Sequence, residues 1–204
     1  MKMLSACIYV VDDDSAVRSA LQLLFKSIGM RVVTCDSAQS FLEKHADDSC
    51  GCVLLDVRMP GMSGPAMQRE LTKRGSILPV IFITGHGDVS MAVEAMQDGA
   101  FDFIEKPFHD HDMIERVQRA LKQNAEAVTQ LTEVQALRTR YESLTPRERE
   151  VLDHVTRGSP NKIVAHDLSI SQRTVEIHRA RLMEKMHAPS LAHLVRMTRN
   201  LAAH

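Results

Sequence analysis

The groups that could do chemistry in this chain stand where its apolar runs stop. Ile8-Tyr9-Val10-Val11 runs into Asp12-Asp13-Asp14, and Val53-Leu54-Leu55 into Asp56. Val80-Ile81-Phe82-Ile83 ends on Thr84, and the stretch Phe101 to Glu105 on Lys106. Taken one at a time, each is an ordinary solvated end of a strand. Taken together, they are three carboxylates (Asp12, Asp13, Asp56), a hydroxyl and an ammonium. Carboxylates crowded within a few Å need a counter-ion. An all-oxygen set of this kind suits Mg²⁺, which keeps several waters and takes only one or two carboxylates directly. Lys106 and Thr84 then have an anion to hold. These are the parts of phosphoryl transfer to a carboxylate, in which metal and ammonium neutralise the transferring group while the acceptor attacks in line.

The segments between these ends must bring them to one place. Ser15 to Ile28 carries Val17, Leu21, Leu24 and Ile28 at helical spacing and is stopped by Gly29. Arg31 to Cys35 reads as a strand, Ser37 to Lys44 as a helix, and Met59-Pro60-Gly61 as a break. Helices are expected from about Pro65 to Lys73 and from Val89 to Gln97, the latter ending at Gly99. Five strand–helix repeats predict an α/β unit, a parallel sheet with helices on both faces. In such a sheet the C-terminal strand ends share one edge, and ligands bind there. No GxGxxG follows the first strand and no GxxxxGK[ST] occurs, which argues against a dinucleotide site or a P-loop.

A length of 204 residues allows one large domain or two smaller ones. The net charge of −1 conceals an asymmetry: residues 1–123 hold 17 acidic and 13 basic side chains, and residues 142–204 hold 7 and 10. An acidic first part and a mildly basic last part suggest two domains, any polyanionic partner falling to the last. No apolar run approaches the roughly 20 residues of a membrane span, and the cytoplasm is the expected compartment. Cys7, Cys35, Cys50 and Cys52 lie at or beside strands, where small buried thiols are ordinary. His109-Asp110-His111-Asp112 alternates around the start of a helix and reads as an acidic cap, not a metal site.

From Asp112 to about Arg140 the pattern stays helical. Val117, Leu121, Val128, Leu131, Val134 and Leu137 form a narrow stripe too short to establish a coiled coil. Thr145-Pro146-Arg147-Glu148 is a capping box with Pro at the first helical position. Helices are expected to about Arg157, from Asn161 to Asp167, from Arg173 to Met186 and from Ser190 to Leu201. Val175, Leu182 and Met186 should pack on Val151, Val155, Ile163 and Leu168. The opposite face of the long helix carries Arg173, Glu176, Ile177, Arg179 and Ala180. A short helix, a turn and a longer basic helix form a helix-turn-helix pattern, although a small protein-binding bundle has the same core spacing.

VVDDD, LLDVRMPGMSG, FITGHGD and FDFIEKPF, in this order, resemble the receiver domain of two-component response regulators over about Ser5 to Gln123. The resemblance implies a flavodoxin-like doubly wound fold with Asp56 as phosphoacceptor. It also implies Mg²⁺ held by Asp13, by Asp12 through water, by Asp56 and by the backbone carbonyl of Arg58. Thr84 and Phe103 take the positions of the switch pair, and Lys106 that of the phosphoryl-binding lysine with a cis bond to Pro107. Arg58 and His86 occupy positions expected to tune dephosphorylation. LTPREREVL and NKIVAHDLSISQRTVEIHRARLMEKM are similar to the four-helix DNA-binding domain of LuxR-type regulators over about Ser143 to Leu201. That likeness places Lys162, Arg173, Thr174 and His178 near phosphates, and Glu176, Ile177, Arg179 and Ala180 in the groove. Glu176 and Ala180 stand where relatives often have Lys, and His178 also suits a core position. The whole chain resembles a FixJ-type regulator: receiver 1–123, helical linker 124–142, all-α DNA-binding domain 143–204. The partners it implies are a sensor histidine kinase, promoter DNA, a second copy of the chain on phosphorylation, and RNA polymerase. The chain is not expected to be an enzyme beyond assisting its own phosphorylation and dephosphorylation.

Overall fold

Runs of branched apolar residues make strands that are covered on both faces. In the computed structural model, which describes residues 6–45, 50–85 and 89–202, Cys7–Val11 (β1), Gly51–Asp56 (β3) and Val80–Thr84 (β4) are buried along their whole length. Arg31–Cys35 (β2) and Asp102–Glu105 (β5) are the partly exposed edges. All five pair in parallel in the order β2-β1-β3-β4-β5. This is the doubly wound flavodoxin-like order.

The alternation of side chains along each strand divides the core in two. Tyr9, Val11, Val53, Leu55 and Phe82 face a layer that includes Phe41 and Leu42 of Ala38–Lys44 (α2), Met67 and Leu71 of Gly64–Lys73 (α3), and Ala95 of Val89–Gln97 (α4). Ile8, Val10, Leu54, Ile81 and Ile83 face the other layer, with Leu21 and Phe25 of Ser15–Ser27 (α1) and Met113 and Val117 of Asp110–Glu142 (α5). The expected stripe on α1 is shifted in part. Phe25 is fully buried while Ile28, the cap residue, is 45% exposed.

The chain divides into two compact units, Met1–Thr129 and Gln130–His204, and α5 runs unbroken across that boundary. The second unit is helical. Its further elements are Pro146–Thr156 (α6), Asn161–Asp167 (α7), Gln172–Lys185 (α8) and Leu191–Ala202 (α9). Val151, Val155, Val164, Val175, Leu182, Met186 and Leu194 form its core, with Leu137 from α5 and Leu168 packed against it. Ile163, expected inside, is 48% exposed, and Val164 takes the buried place one residue on. The turn between α7 and α8 is closed by Ser169 in the left-handed region (φ 53°), where its N–H donates to His166 and that of Ile170 to Ala165.

Among the described residues of this unit Glu148 is the one buried acid, 2% exposed. Thr145 and Glu148 make the reciprocal capping box read from the sequence. Lys185, at the end of α8, donates to Glu148 Oε2 at 2.7 Å and to the carbonyl of Ser143 at 3.2 Å. The N-terminus of α6 is thereby tied to the C-terminus of α8. Burial pushes the Glu148 carboxyl up, but Lys185 and the Thr145 N–H and hydroxyl outweigh it, so the group lies below its ordinary range.

Candidate phosphoacceptor site and DNA-reading helix

Asp12 and Asp56 reach one another because β1 and β3 are adjacent in the sheet and each acid sits at or just past its strand's end. Asp12 is 1% exposed and Asp56 9%. Between them stands Lys106, whose Nζ donates to Asp56 Oδ1 at 2.8 Å and to Asp12 Oδ2 at 3.0 Å. The counter-ion that the acid pair demands is thus supplied by the fifth strand's end. The Lys106–Pro107 bond is cis. Burial, with the Asp12 charge beside it, pushes the Asp56 carboxyl up, and the bonds from Lys106 and the Arg58 N–H offset this only in part. Lys106 shows the opposite balance: burial disfavours its charge, but its bonds to Asp56 and Asp12 raise its pKa.

The remaining Asp56 oxygen, Oδ2, accepts the backbone N–H of Arg58 at 2.8 Å, which fixes the carboxylate plane. Asp12 Oδ1 accepts the N–H of Asp14, and Asp14 caps α1 by accepting from Ala16. Asp13 is exposed at the loop between them. Among the described residues no three His, Cys, Asp or Glu side chains form a closed metal cage. The oxygens of Asp13, Asp56 and the Arg58 carbonyl are donors of the kind that Mg²⁺ takes. Thr84 is 3% exposed and its Oγ1 donates to the Ile104 carbonyl at 3.4 Å. Phe103 is half-buried against the α2–α4 side of the core. His86 lies outside the described residues.

Two contributors to this site were not singled out from the sequence. Arg18, one turn into α1, donates to the Asp12 carbonyl at 2.7 Å and pins the acidic loop. Gly64 leaves no room for a side chain: a Cβ there would lie 2.3 Å from the Asp56 carbonyl oxygen and 2.9 Å from Phe82. An Arg six residues beyond Asp12 and a Gly eight residues beyond Asp56 were visible in the chain, but only the folded contacts give them a role. Burial raises the Cys35 and Cys52 thiols, which keeps them protonated and inert.

In the second unit, α8 begins at an N-cap, Ser171, whose Oγ accepts the Thr174 N–H at 3.0 Å and lies 2.8 Å from Thr174 Oγ1. Thr174 is therefore engaged in the cap. Arg173, Glu176, Ile177 and Ala180 are exposed on α8, and Lys162 is exposed on α7. His178 is half-buried, and its Nδ1 is buried with no hydrogen-bond partner among the described residues. Arg179, expected among the groove residues, is half-buried and donates to Asn161 Oδ1 at 2.7 Å.

An acid pair on a shared lysine at the carboxyl edge of a 2-1-3-4-5 sheet, followed by a helix-turn-helix unit, defines a phosphorylation-type receiver joined to a DNA-binding module. Residues 8–118 match the response regulator receiver domain and residues 142–198 the bacterial regulatory proteins of the luxR family. The chain belongs to the response regulators that carry a LuxR-type DNA-binding domain. It is 46% identical over 194 residues to the response regulator protein TmoT of Ectopseudomonas mendocina, covering 95% of this chain and 88% of that one. It is 47% identical over 190 residues to the transcriptional regulatory protein FixJ of Rhizobium meliloti, covering 93% of each. Among solved structures, the response regulator StyR is similar with a TM-score of 0.89 at 41% identity, covering 95% of this chain and 98% of that one. Full-length FixJ from B. japonicum gives 0.60 at 42% identity, covering 98% of each.

Proposed function

We propose that a sensor histidine kinase phosphorylates Asp56, and that this modification controls sequence-specific DNA binding by the second unit through formation of a dimer. The observation that carries the reading is the shared grip of Lys106 on Asp12 and Asp56. Asp12 and Asp56 are each held at both oxygens, and Asp56 is the more exposed of the two, 9% against 1%. Its oxygen attacks phosphorus in line; the O–P bond forms as the bond to the donor imidazole breaks, and the leaving nitrogen keeps the electron pair and takes up a proton. Asp13, Asp56, the Arg58 carbonyl and, through water, Asp12 would hold Mg²⁺, which would neutralise charge on the phosphoryl oxygens. Lys106 turns from the two carboxylates to the new phosphoryl oxygens.

The same contacts support the switch that the resemblance implies. Phosphorylated Asp56 offers acceptor oxygens beside Thr84, whose present partner is a long bond to Ile104. Thr84 exchanges that bond for the phosphoryl group, and half-buried Phe103 fills the space it leaves. This repacks the surface of α4 and β5 and favours association, which brings two α8 helices onto adjacent half-sites and gains affinity through effective concentration. By resemblance, Arg58 and His86 tune the rate of hydrolysis. No described helix is long and apolar enough to cross a membrane; the chain works in the cytoplasm, where its DNA and RNA polymerase lie.

Sedimentation and DNA footprinting with and without acetyl phosphate and Mg²⁺ test this reading. A phosphorylated dimer that protects DNA at lower concentration, lost in Asp56→Asn, is expected. A phosphorylated monomer that gains the same operator affinity refutes dimerisation, and undiminished labelling of Asp56→Asn refutes the acceptor.

A further inference from the structure

We infer that sequence is read in the groove by an acid and two apolar side chains, Glu176 with Ile177 and Ala180, and that Asn161 withdraws Arg179 from the bases to the phosphate backbone. The inference rests on the reading of α8 as the DNA-reading helix. Its ligand is a duplex that presents a cytosine amino group beside a thymine methyl in the major groove.

The withdrawal is geometric. Arg179 Nη1 lies 2.7 Å from Asn161 Oδ1, and both side chains are half-buried. Asn161 is the first residue of α7, the leading helix of the helix-turn-helix. In this arrangement the leading helix crosses the backbone while the second enters the groove. A guanidinium drawn toward α7 points its remaining N–H groups at that backbone. It also loses the free fork with which Arg reads guanine O6 and N7. Asn161 is thus a positioning residue, acting through Arg179.

What remains in reach of the bases is unusual in kind. Glu176 and Ala180 are four apart on the helix and share a face, and Ile177 beside them is 46% exposed although apolar. Glutamate accepts hydrogen bonds only, and in the major groove it pairs with the cytosine N4 amino group. An exposed isoleucine and an alanine suit the thymine methyl. Placing an acid at this surface repels phosphate, so affinity must come from flanking cations. Arg173 and Arg181 are exposed on α8 and Lys162 on α7.

Binding-site selection from random duplexes tests this, using the full chain treated with acetyl phosphate and Mg²⁺. The wild type should enrich a cytosine adjacent to a thymine in each half-site. Glu176→Gln should exchange that cytosine for adenine, with discrimination changed roughly 5- to 150-fold, because Gln pairs with adenine N6 and N7. Arg179→Ala should keep the selected sequence, weaken binding to every duplex and lower the salt slope by about one. Asn161→Ala should admit guanine or broaden the selection, and Asn161→Asp, which keeps the acceptor, should preserve it. Thermal melts of each variant establish that it is folded. Loss of a selected guanine in Arg179→Ala, with Glu176→Gln unchanged, overturns the inference. A folded wild type that enriches no sequence overturns the DNA-binding reading with it.

Discussion

Replacing Lys185 by Met should unlock the second unit, and the structure sets the size of the effect. Lys185 donates to Glu148 at 2.7 Å, and the two side chains are 36% and 3% exposed. Removing one partner of a fully buried pair costs about 3–5 kcal/mol, because the other charge is left unpaired. Here the lysine is more than a third exposed, so solvent screens the pair and the expected loss falls to about 2 kcal/mol. Glu148 keeps the Thr145 N–H, which prevents a larger loss. For a unit of this size about 2 kcal/mol lowers the melting temperature by roughly 8–16 °C. The sign with pH follows from the depressed Glu148 pKa. A carboxyl whose folded pKa lies below its ordinary 4.5 contributes stability that is whole above that value and is lost as pH falls through the folded pKa. The variant lacks the main stabiliser of that charge, so its deficit is full at neutral pH and shrinks as pH falls below that ordinary value. Calorimetry of the full chain, with hydrogen exchange on peptides from α6 and α8 to assign the transition, measures it. A melting temperature within 2 °C of the wild type at pH 7, or a deficit that persists unchanged at acid pH, would refute the claim that this ion pair holds α6 to α8.

Three further outcomes follow from single contacts. Asp56→Asn should abolish acyl-phosphate formation from acetyl phosphate and, because burial together with the Asp12 charge outweighs Lys106 at this carboxyl, should raise the stability of the metal-free chain by about 1 kcal/mol in urea titration. Gly64→Ala should force the Asp56 backbone to move, since the added Cβ meets its carbonyl at 2.3 Å. A loss of about 1–3 kcal/mol with slowed phosphorylation is expected, read by denaturant titration and by labelling rate. Asn124→Ala removes a buried side chain that accepts the Gly51 N–H at 2.8 Å and donates to the Ile77 carbonyl at 3.1 Å. The orphaned backbone groups should cost about 1–3 kcal/mol and raise hydrogen exchange at Gly51.

Much of this protein is local in origin, and the sequence by itself determined that much. The apolar runs before Asp12, Asp56, Thr84 and Lys106 specify buried strands. The spacing between them specifies a parallel sheet, and the capping box at Thr145 specifies where α6 starts. These signals need no knowledge of distant partners, because backbone hydrogen bonding and burial act within one element. What each polar group does is a different matter, for it depends on contacts between elements far apart in the chain. Only the folded arrangement brings Lys106 onto both Asp12 and Asp56, pairs Lys185 with Glu148, sets Arg18 on the acidic loop and turns Arg179 to Asn161. Helical spacing placed Ile163 inside, yet the crossing of α6, α7 and α8 buried Val164 instead. Periodicity says that a helix has an apolar face; where that face points is fixed by the helices packed against it, and that is why the tertiary structure decided it.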